Sequence, residues 1–292
     1  MTTNIKSFVE AVKTVMESRL SDYDFTEQDI VKMNDLTLHA LVARRHGEDA
    51  GATLYLDEAF EDFGNGETME SIADSLTYIV KSAEAVKPMA VASDIDLSFD
   101  AVKDRLTFRL VDTAKNRAYL KEHPFRAVGA GLAVVAEINL GNDYSTVVNN
   151  SLAENYDIDT LFDTALENMQ ELYPAQMVSL EGAIFGDSRN VLDSDEHIEG
   201  MYTLMIGEDH GFGAGTLVYS GIAERVRELF GGDFFILPSS VHETILLRDD
   251  GTANVADLKA MVMQANRSVV APADVLSDSV FRYGAEGLRR VA

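Results

Sequence analysis

Residues 234–247 read FFILPSSVHETILL, and this stretch is the most informative about the fold. Two apolar runs flank a short polar cluster, and each run is typical of a β-strand. The proline between them, Pro238, restricts its own backbone to an angle that suits a turn. The stretch therefore predicts a hairpin-like pair of strands. Its polar cluster, with two hydroxyls, an imidazole and a carboxylate, is also the first place to look for an active site.

Outward from this stretch, helical and strand patterns follow each other in mixed runs. Apolar residues recur every three or four positions and predict helices at 4–20, 58–63, 67–86, 160–172, 217–230 and 255–266. Alternation and short apolar runs predict strands at 29–45 (a hairpin), 52–56, 131–138, 145–149 and 201–206. There is no regular βαβ rhythm, which favours an α+β fold with mixed, largely antiparallel sheets packed against amphipathic helices. We expect residues 1–292 to form one α+β unit, and its weakest seam, where two subdomains would divide, lies at 88–100.

Composition limits the class of protein. The chain has 292 residues, of which 46% are hydrophobic and 25% charged, as in an ordinary globular protein. No apolar run reaches the roughly 18 residues of a membrane span, and the first residues do not have the pattern of a signal peptide. The chain contains no cysteine, which excludes disulfides and thiolate chemistry. We therefore expect a cytoplasmic protein that does not contact membranes.

The charge is strongly negative and unevenly spread. The net charge is −25, and residues 141–210, hereafter the acidic segment, hold 15 acidic residues and one basic residue. Affinity for nucleic acid comes from Lys and Arg at the phosphates, so direct nucleic-acid binding is not expected. The simplest interpretation of the acidic segment is a solvated surface. The alternatives are a docking face for a basic protein partner, which includes mimicry of nucleic acid, and a diffuse site for divalent cations.

The polar cluster of the opening stretch admits a hydrolase interpretation. Ser239 or Ser240 would be the nucleophile, His242 the base and Glu243 the group that orients it. In an extended strand, however, Ser240 and His242 would lie about 6.5–7 Å apart, too far for a nucleophile–base hydrogen bond of about 2.6–3.2 Å. Glu243 would point to the opposite face. We therefore prefer a turn in which the serines satisfy free backbone groups, and the hydrolase or small-ligand enzyme stays as the alternative.

Three other patterns fail as cofactor or metal sites. His242-Glu243 begins a His-Glu-x-x-His zinc motif, but Leu246 stands where the second histidine is required. The glycines of 211–215 lack the third glycine of a dinucleotide loop, since Thr216 occupies that position. They are instead expected to permit close approach of the backbone. His197 and residues 208–210 do not match the spacing of a calcium loop. No cofactor and no metal are predicted.

Two stretches resemble the signatures of an uncharacterised bacterial family, a domain of unknown function. They are residues 235–243, FILPSSVHE, and residues 276–283, LSDSVFRY. The order of elements is similar across nearly the whole chain. The resemblance implies membership of an intracellular family, but it carries over no activity, cofactor or catalytic residue.

These observations favour a protein without catalysis that acts by protein–protein contact through the acidic segment. The enzyme described above is one alternative. A nucleic-acid-mimicking inhibitor is the other, and it requires the acidic side chains to form a regular row. Arg282 and Tyr283, near the C-terminus, would either anchor a ligand or pin the tail of the chain to the domain.

Overall fold

The computed structural model describes residues 4–48, 51–85, 96–141, 144–186, 189–207, 211–238 and 240–292. The chain divides into two compact units. The first consists of Met1–Lys32 and Leu36–Asp96, and the second of Met33–Asp35 and Leu97–Ala292. Most of the predicted seam at 88–100 lies outside the described residues, so the seam stays a prediction.

The first unit is a three-stranded sheet with three helices. Its elements are α1 (Ile5–Arg19), β1 (Tyr23–Val31), β2 (Thr37–Arg45), β3 (Gly51–Tyr55), α2 (Asp57–Gly64) and α3 (Met69–Ala85). The strands are antiparallel in the order β1-β2-β3, so the predicted hairpin and opening helix are confirmed. Helix α1 begins where the Asn4 side chain accepts the N–H of Ser7. Its buried Phe8 packs its ring 5.3 Å from those of Phe60 and Phe63, which places the core under α1.

The second unit contains two antiparallel sheets. Its first elements are α4 (Phe99–Val102), β4 (Leu106–Asp112), α5 (Tyr119–Glu122), β5 (Phe125–Gly129), β6 (Leu132–Gly141), β7 (Tyr144–Val147), α6 (Asn150–Ala153) and α7 (Ile158–Leu172). The remainder are β8 (Gln176–Ser179), α8 (Leu180–Phe185), β9 (Met201–Met205), α9 (Ile222–Phe230), β10 (Phe234–Leu237), β11 (Glu243–Arg248), α10 (Val255–Ser268), β12 (Phe281–Gly284) and β13 (Gly287–Arg290). In one sheet β6 pairs with β4, β5 and β7, and the other has the order β13-β12-β10-β11-β9-β8. The α+β prediction is confirmed.

The opening stretch lies at the centre of the six-stranded sheet. Strands β10 and β11 pair antiparallel, with Leu237 opposite Ile245, so the predicted strand pair is confirmed. All four residues of β10 are buried, so both faces of this strand are covered. A strand covered on both faces has an unbroken apolar sequence rather than an alternating one. Strand β12 flanks β10 on its other side.

The predicted helix at 217–230 is wrong in its first half. Residues 213–218 form a 3-10 helix, and α9 begins only at Ile222. The 3-10 helix ends where Tyr219 becomes extended, and Gly221, left-handed with φ of 78°, directly precedes α9. The hydroxyl of Tyr219 donates to the carbonyls of Met169 and Tyr173, and this long-range contact holds the break in place. No pattern within 217–230 indicates it.

Four short strands were not predicted. They are β5, β8, β12 and β13, each of four or five residues. In the part of the chain that the structure describes, no helix is long and apolar enough to cross a membrane. The same residues contain no group of three or more His, Asp or Glu side chains placed to hold a metal ion.

Candidate functional site

The polar cluster of the opening stretch lies in the connection between β10 and β11. Ser240 and His242 precede β11, which begins at Glu243, so the extended geometry assumed for them is wrong. Ser239 lies outside the described residues. The connection turns because the Ser240 hydroxyl folds back onto its own chain.

Ser240 is buried and fully engaged in this turn. Its Oγ donates to Glu243 Oε1 at 2.9 Å and accepts the backbone N–H of His242 at 3.0 Å. The structure therefore brings Ser240 and Glu243 together, which strand geometry would have prevented. The hydroxyl satisfies a backbone donor, as the turn interpretation expects.

The His242 ring is held by other partners. Its Nδ1 accepts the backbone N–H of Phe212 at 3.3 Å, and its Nε2 lies 3.7 Å from Asp274 Oδ2. A ring nitrogen that accepts an N–H carries no proton, so the neutral ring has its proton on Nε2, on the side of Asp274. Among the described residues, no serine hydroxyl contacts this ring.

Arg109 stacks on the ring of Phe212, which in turn lies next to the His242 ring. The Arg109 guanidinium lies 3.7 Å from the centre of the Phe212 ring, which is tilted against the His242 ring at 5.7 Å. Arg109 of β4 donates two hydrogen bonds to the buried carboxylate of Glu137 on β6, and Ser145 donates a third at 3.0 Å. Phe212 itself has φ of 69°, unusual for a residue with a side chain. These contacts fix the position of the 211–213 loop.

Gly213 shows why this loop contains small residues. A Cβ at Gly213 would lie 2.4 Å from the His242 carbonyl oxygen and 2.7 Å from the Ile206 nitrogen. Only glycine permits this approach of backbone to backbone, so the interpretation of these glycines as packing residues is confirmed at Gly213. The loop therefore serves to join the β10–β11 connection to β9.

The acidic segment forms a row of carboxylates on α7. The apolar face of helix α7 is buried and consists of Leu161, Phe162, Ala165 and Met169. The exposed face carries an acidic residue at every fourth position: Asp159, Asp163, Glu167 and Glu171. Arg126 of β5 pairs with Asp159 at 3.2 Å and with Asp163 at 2.5 Å. No described cation lies within ion-pair distance of Glu167 or Glu171, so the C-terminal half of the row keeps its full charge.

Apolar side chains protrude from the same segment at α8. The hydroxyl of Ser179 accepts the N–H of Gly182 and starts this helix, and Gly186 ends it in a left-handed conformation. At its end, Ile184 is 69% exposed and Phe185 is 80% exposed. Isolated exposed apolar side chains are common, but a phenylalanine so far out of the core is not.

The sequence assigned no role to His39 of the first unit, yet the structure gives it a partner. Its Nδ1 lies 3.0 Å from Asp57 Oδ1, and its backbone N–H donates to Asp57 Oδ2 at 2.8 Å. The two residues are 18 positions apart, so only the fold brings them together. The exposed pair on α8 was also missed, because a six-residue helix is too short for its apolar tip to be distinguished from core.

A comparison with protein families decides the membership. The model of the Family of unknown function (DUF5688) matches residues 5–285. The chain belongs to this family. No curated protein and no solved structure matches it. Membership of DUF5688 brings no activity with it, so a function has to be argued from the geometry of this chain.

Proposed function

We propose that this protein binds a basic protein partner through its acidic segment, with Ile184 and Phe185 as the apolar contact. The observation that carries the proposal is the exposure of these two side chains, 69% and 80%, within the most acidic part of the chain. Large apolar groups are typical of the centre of a protein interface, and charged groups are typical of its rim. The lack of cysteine supports a cytoplasmic setting.

Charge complementarity defines the partner. The carboxylates of Glu167 and Glu171 have no described counter-ion, and other exposed acids of the segment follow at Asp193, Asp195 and Glu196. Such a surface repels other acidic proteins and accelerates the approach of a basic one. The partner that fits is a protein with lysine and arginine side chains on its surface.

The apolar pair supplies the affinity that exposed charges do not. Exposed ion pairs contribute little because water and salt screen them. Burying the side chains of Phe185 and Ile184 in a partner's pocket would contribute about 1.5–3 kcal/mol each. We therefore expect an apolar pocket between the basic side chains of the partner.

The first test is to remove the apolar contact. The full-length protein is cross-linked in cells, its basic partner is identified and purified, and binding is measured by calorimetry. The double substitution Ile184→Ser with Phe185→Ser is expected to weaken binding at least about tenfold, because it removes most of the buried apolar area. The matched control is Val269→Ser, which changes a residue that is 79% exposed but lies outside the acidic segment.

The control should bind within about twofold of the wild type. Circular dichroism of both variants should match the wild type, since the three side chains are exposed. Equal binding by the double variant and the control would contradict the proposal. So would a partner that proves to be acidic.

The second test removes the charge of α7. Neutralising the four acidic residues of α7 is expected to lower the rate of association with the basic partner. This rate should also depend less on the NaCl concentration between about 50 mM and 500 mM, because salt screens long-range attraction. The variant carries Asp159→Asn, Asp163→Asn, Glu167→Gln and Glu171→Gln. The control carries the same change of charge on exposed acids of the first unit: Glu58→Gln, Glu61→Gln, Glu67→Gln and Glu70→Gln. Equal salt dependence in both variants would assign the attraction to net charge rather than to the acidic segment.

The two alternative functions stay predictions. The hydrolase requires a serine hydroxyl beside His242, and Ser240 is instead bonded to Glu243. The nucleic-acid mimic requires a regular row of acidic side chains; α7 carries such a row of four, and Arg126 pairs with the first two of them. Neither alternative is favoured by a contact among the described residues.

A further inference from the structure

We propose that a cleft beside α9 in the second unit binds an alkyl ammonium ion, with Glu224 as the group that recognises the charge. The cleft has a volume of about 410 Å³, within the range of small-molecule sites. None of the residues that line it belongs to the polar cluster of the opening stretch, and the inference does not depend on the proposed protein partner.

The walls of the cleft are mainly apolar and come from separate elements. Val128 belongs to β5, Leu217 and Val218 precede α9, and Leu288 belongs to β13. Such walls can bury a hydrocarbon chain. The cleft is shallow and broadly open to solvent, so a chain of several methylene groups can enter it and be partly buried.

One carboxylate gives the cleft its charge preference. Among the described residues that line it, Glu224 is the one charged side chain. Its Oε1 accepts the Tyr283 hydroxyl at 2.6 Å, and Oε2 has no hydrogen-bond partner among the described side chains. An ammonium group has three N–H donors and needs such acceptors, whereas a carboxylate ligand would be repelled.

The Tyr283 hydrogen bond both orients Glu224 and keeps it charged. The bond lowers the pKa of Glu224, and burial together with the same contact raises the pKa of Tyr283 to about 12. The Tyr283 ring packs 5.6 Å from Phe234 in the core of the sheet, so the hydroxyl is held in place. Of the two alternatives that the sequence leaves open for Tyr283, the proposal uses the ligand-anchoring one.

Arg227, three residues after Glu224, and Arg282, next to Tyr283 in sequence, are paired with other carboxylates. Arg227 lies 3.0 Å from Asp233, and Arg282 lies 3.0 Å from Asp233 and 2.7 Å from Asp249. These two cations and two anions balance each other. The Glu224 carboxylate is left as the uncompensated charge of the cleft.

The test compares ligands of equal shape and different charge. Binding of n-hexylamine, n-hexanol and hexanoate to the full-length protein is measured by calorimetry or by NMR shifts at neutral pH. Glu224 is exposed, so water and salt screen its pair with an ammonium group, and at low salt we expect hexylamine to bind about two- to fivefold tighter than hexanol, and hexanoate to bind more weakly than hexanol. From n-butylamine to n-hexylamine, affinity should rise about fourfold per methylene, the gain expected for burying each one.

Two matched variants isolate the carboxylate. Glu224→Gln removes the charge but keeps an oxygen for the Tyr283 hydroxyl, so it should weaken the binding of hexylamine about two- to fivefold and leave the binding of hexanol unchanged. The control is Glu228→Gln, one turn further along α9. Glu228 is an exposed carboxylate that pairs with Arg225 at 3.0 Å and does not line the cleft. Its replacement should therefore leave hexylamine binding unchanged. The unfolding midpoint of each variant shows whether the fold is retained.

A lysine derivative distinguishes the sources of the ammonium group. If Nα-acetyl-lysine methylamide binds as tightly as n-butylamine, the ligand is a lysine side chain of a peptide. If only the free amines bind, the ligand is a small amine, and either result supports the cleft as an ammonium site. Equal binding of hexylamine and hexanol, or hexylamine binding that survives Glu224→Gln, would overturn the proposal.

Discussion

Phe234→Ala is expected to lower the free energy of unfolding of the second unit by about 4 kcal/mol. Phe234 is fully buried in β10, and its ring contacts those of Phe230 at 5.8 Å and Tyr283 at 5.6 Å. Truncation to alanine leaves a cavity at the centre of the six-stranded sheet, where neighbouring strands cannot collapse to fill it. Urea unfolding followed by circular dichroism measures the loss.

The matched control for this variant is Phe125→Ala. Phe125 belongs to the same unit but lies half-exposed on β5, so its truncation should cost about 1 kcal/mol or less. A Phe234→Ala variant that is no less stable than Phe125→Ala would show that β10 is not a central strand. Because the chain has two units, hydrogen exchange of peptides from β10 should accompany the urea measurement.

Glu137→Ala is expected to destabilise the same unit by about 3 kcal/mol. The carboxylate is buried and accepts hydrogen bonds from the Arg109 guanidinium and from Ser145. Its removal leaves the Arg109 charge without its counter-ion between β4 and β6. The cost lies at the lower end of the range for a broken buried pair because the Arg109 side chain is partly exposed. Exchange of β4 and β6 peptides should increase selectively.

A double variant shows whether the loss of stability comes from an unpaired Arg109 charge or from lost packing. Arg109→Leu with Glu137→Leu removes both charges and keeps apolar volume, so it should be more stable than Glu137→Ala alone. If the double variant is the less stable of the two, packing of the Arg109 stem and its stack on Phe212 matter more than the charge pair. In the double variant, which has no Arg109 guanidinium, loss of the stack should change the NMR signals of the His242 ring, because the Phe212 ring lies 5.7 Å from that ring.

Much of the fold is predictable because its signals are local. The helices α1, α3, α7 and α10 follow from apolar residues recurring every three or four positions. Asn4 and Asp157, whose side chains accept the N–H groups of Ser7 and Thr160, mark where two of these helices begin. Strands β12 and β13 are not predictable in this way, since each has only four residues and is defined by its partner across the sheet.

The candidate site shows the limit of local reasoning. The sequence places Ser240, His242 and Glu243 together, and an extended backbone then predicts which of them can touch. The backbone turns instead, because the Ser240 hydroxyl bonds to Glu243 and to the N–H of His242. The partner of the His242 ring is the backbone of Phe212, 30 residues earlier, and no spacing in the sequence indicates that contact.

By itself the sequence determined the strand pair of 234–247, the main helices, the α+β class and the excess of negative charge. Periodicity, capping and charge depend on neighbouring residues or on simple sums, so they can be read without the fold. Only the tertiary structure decided that Phe185 protrudes into solvent, that Ser240 serves a turn, and that Tyr283 holds Glu224 beside a cleft. Exposure and contact between distant residues depend on how helices and strands pack, and the packing is set by the whole chain at once.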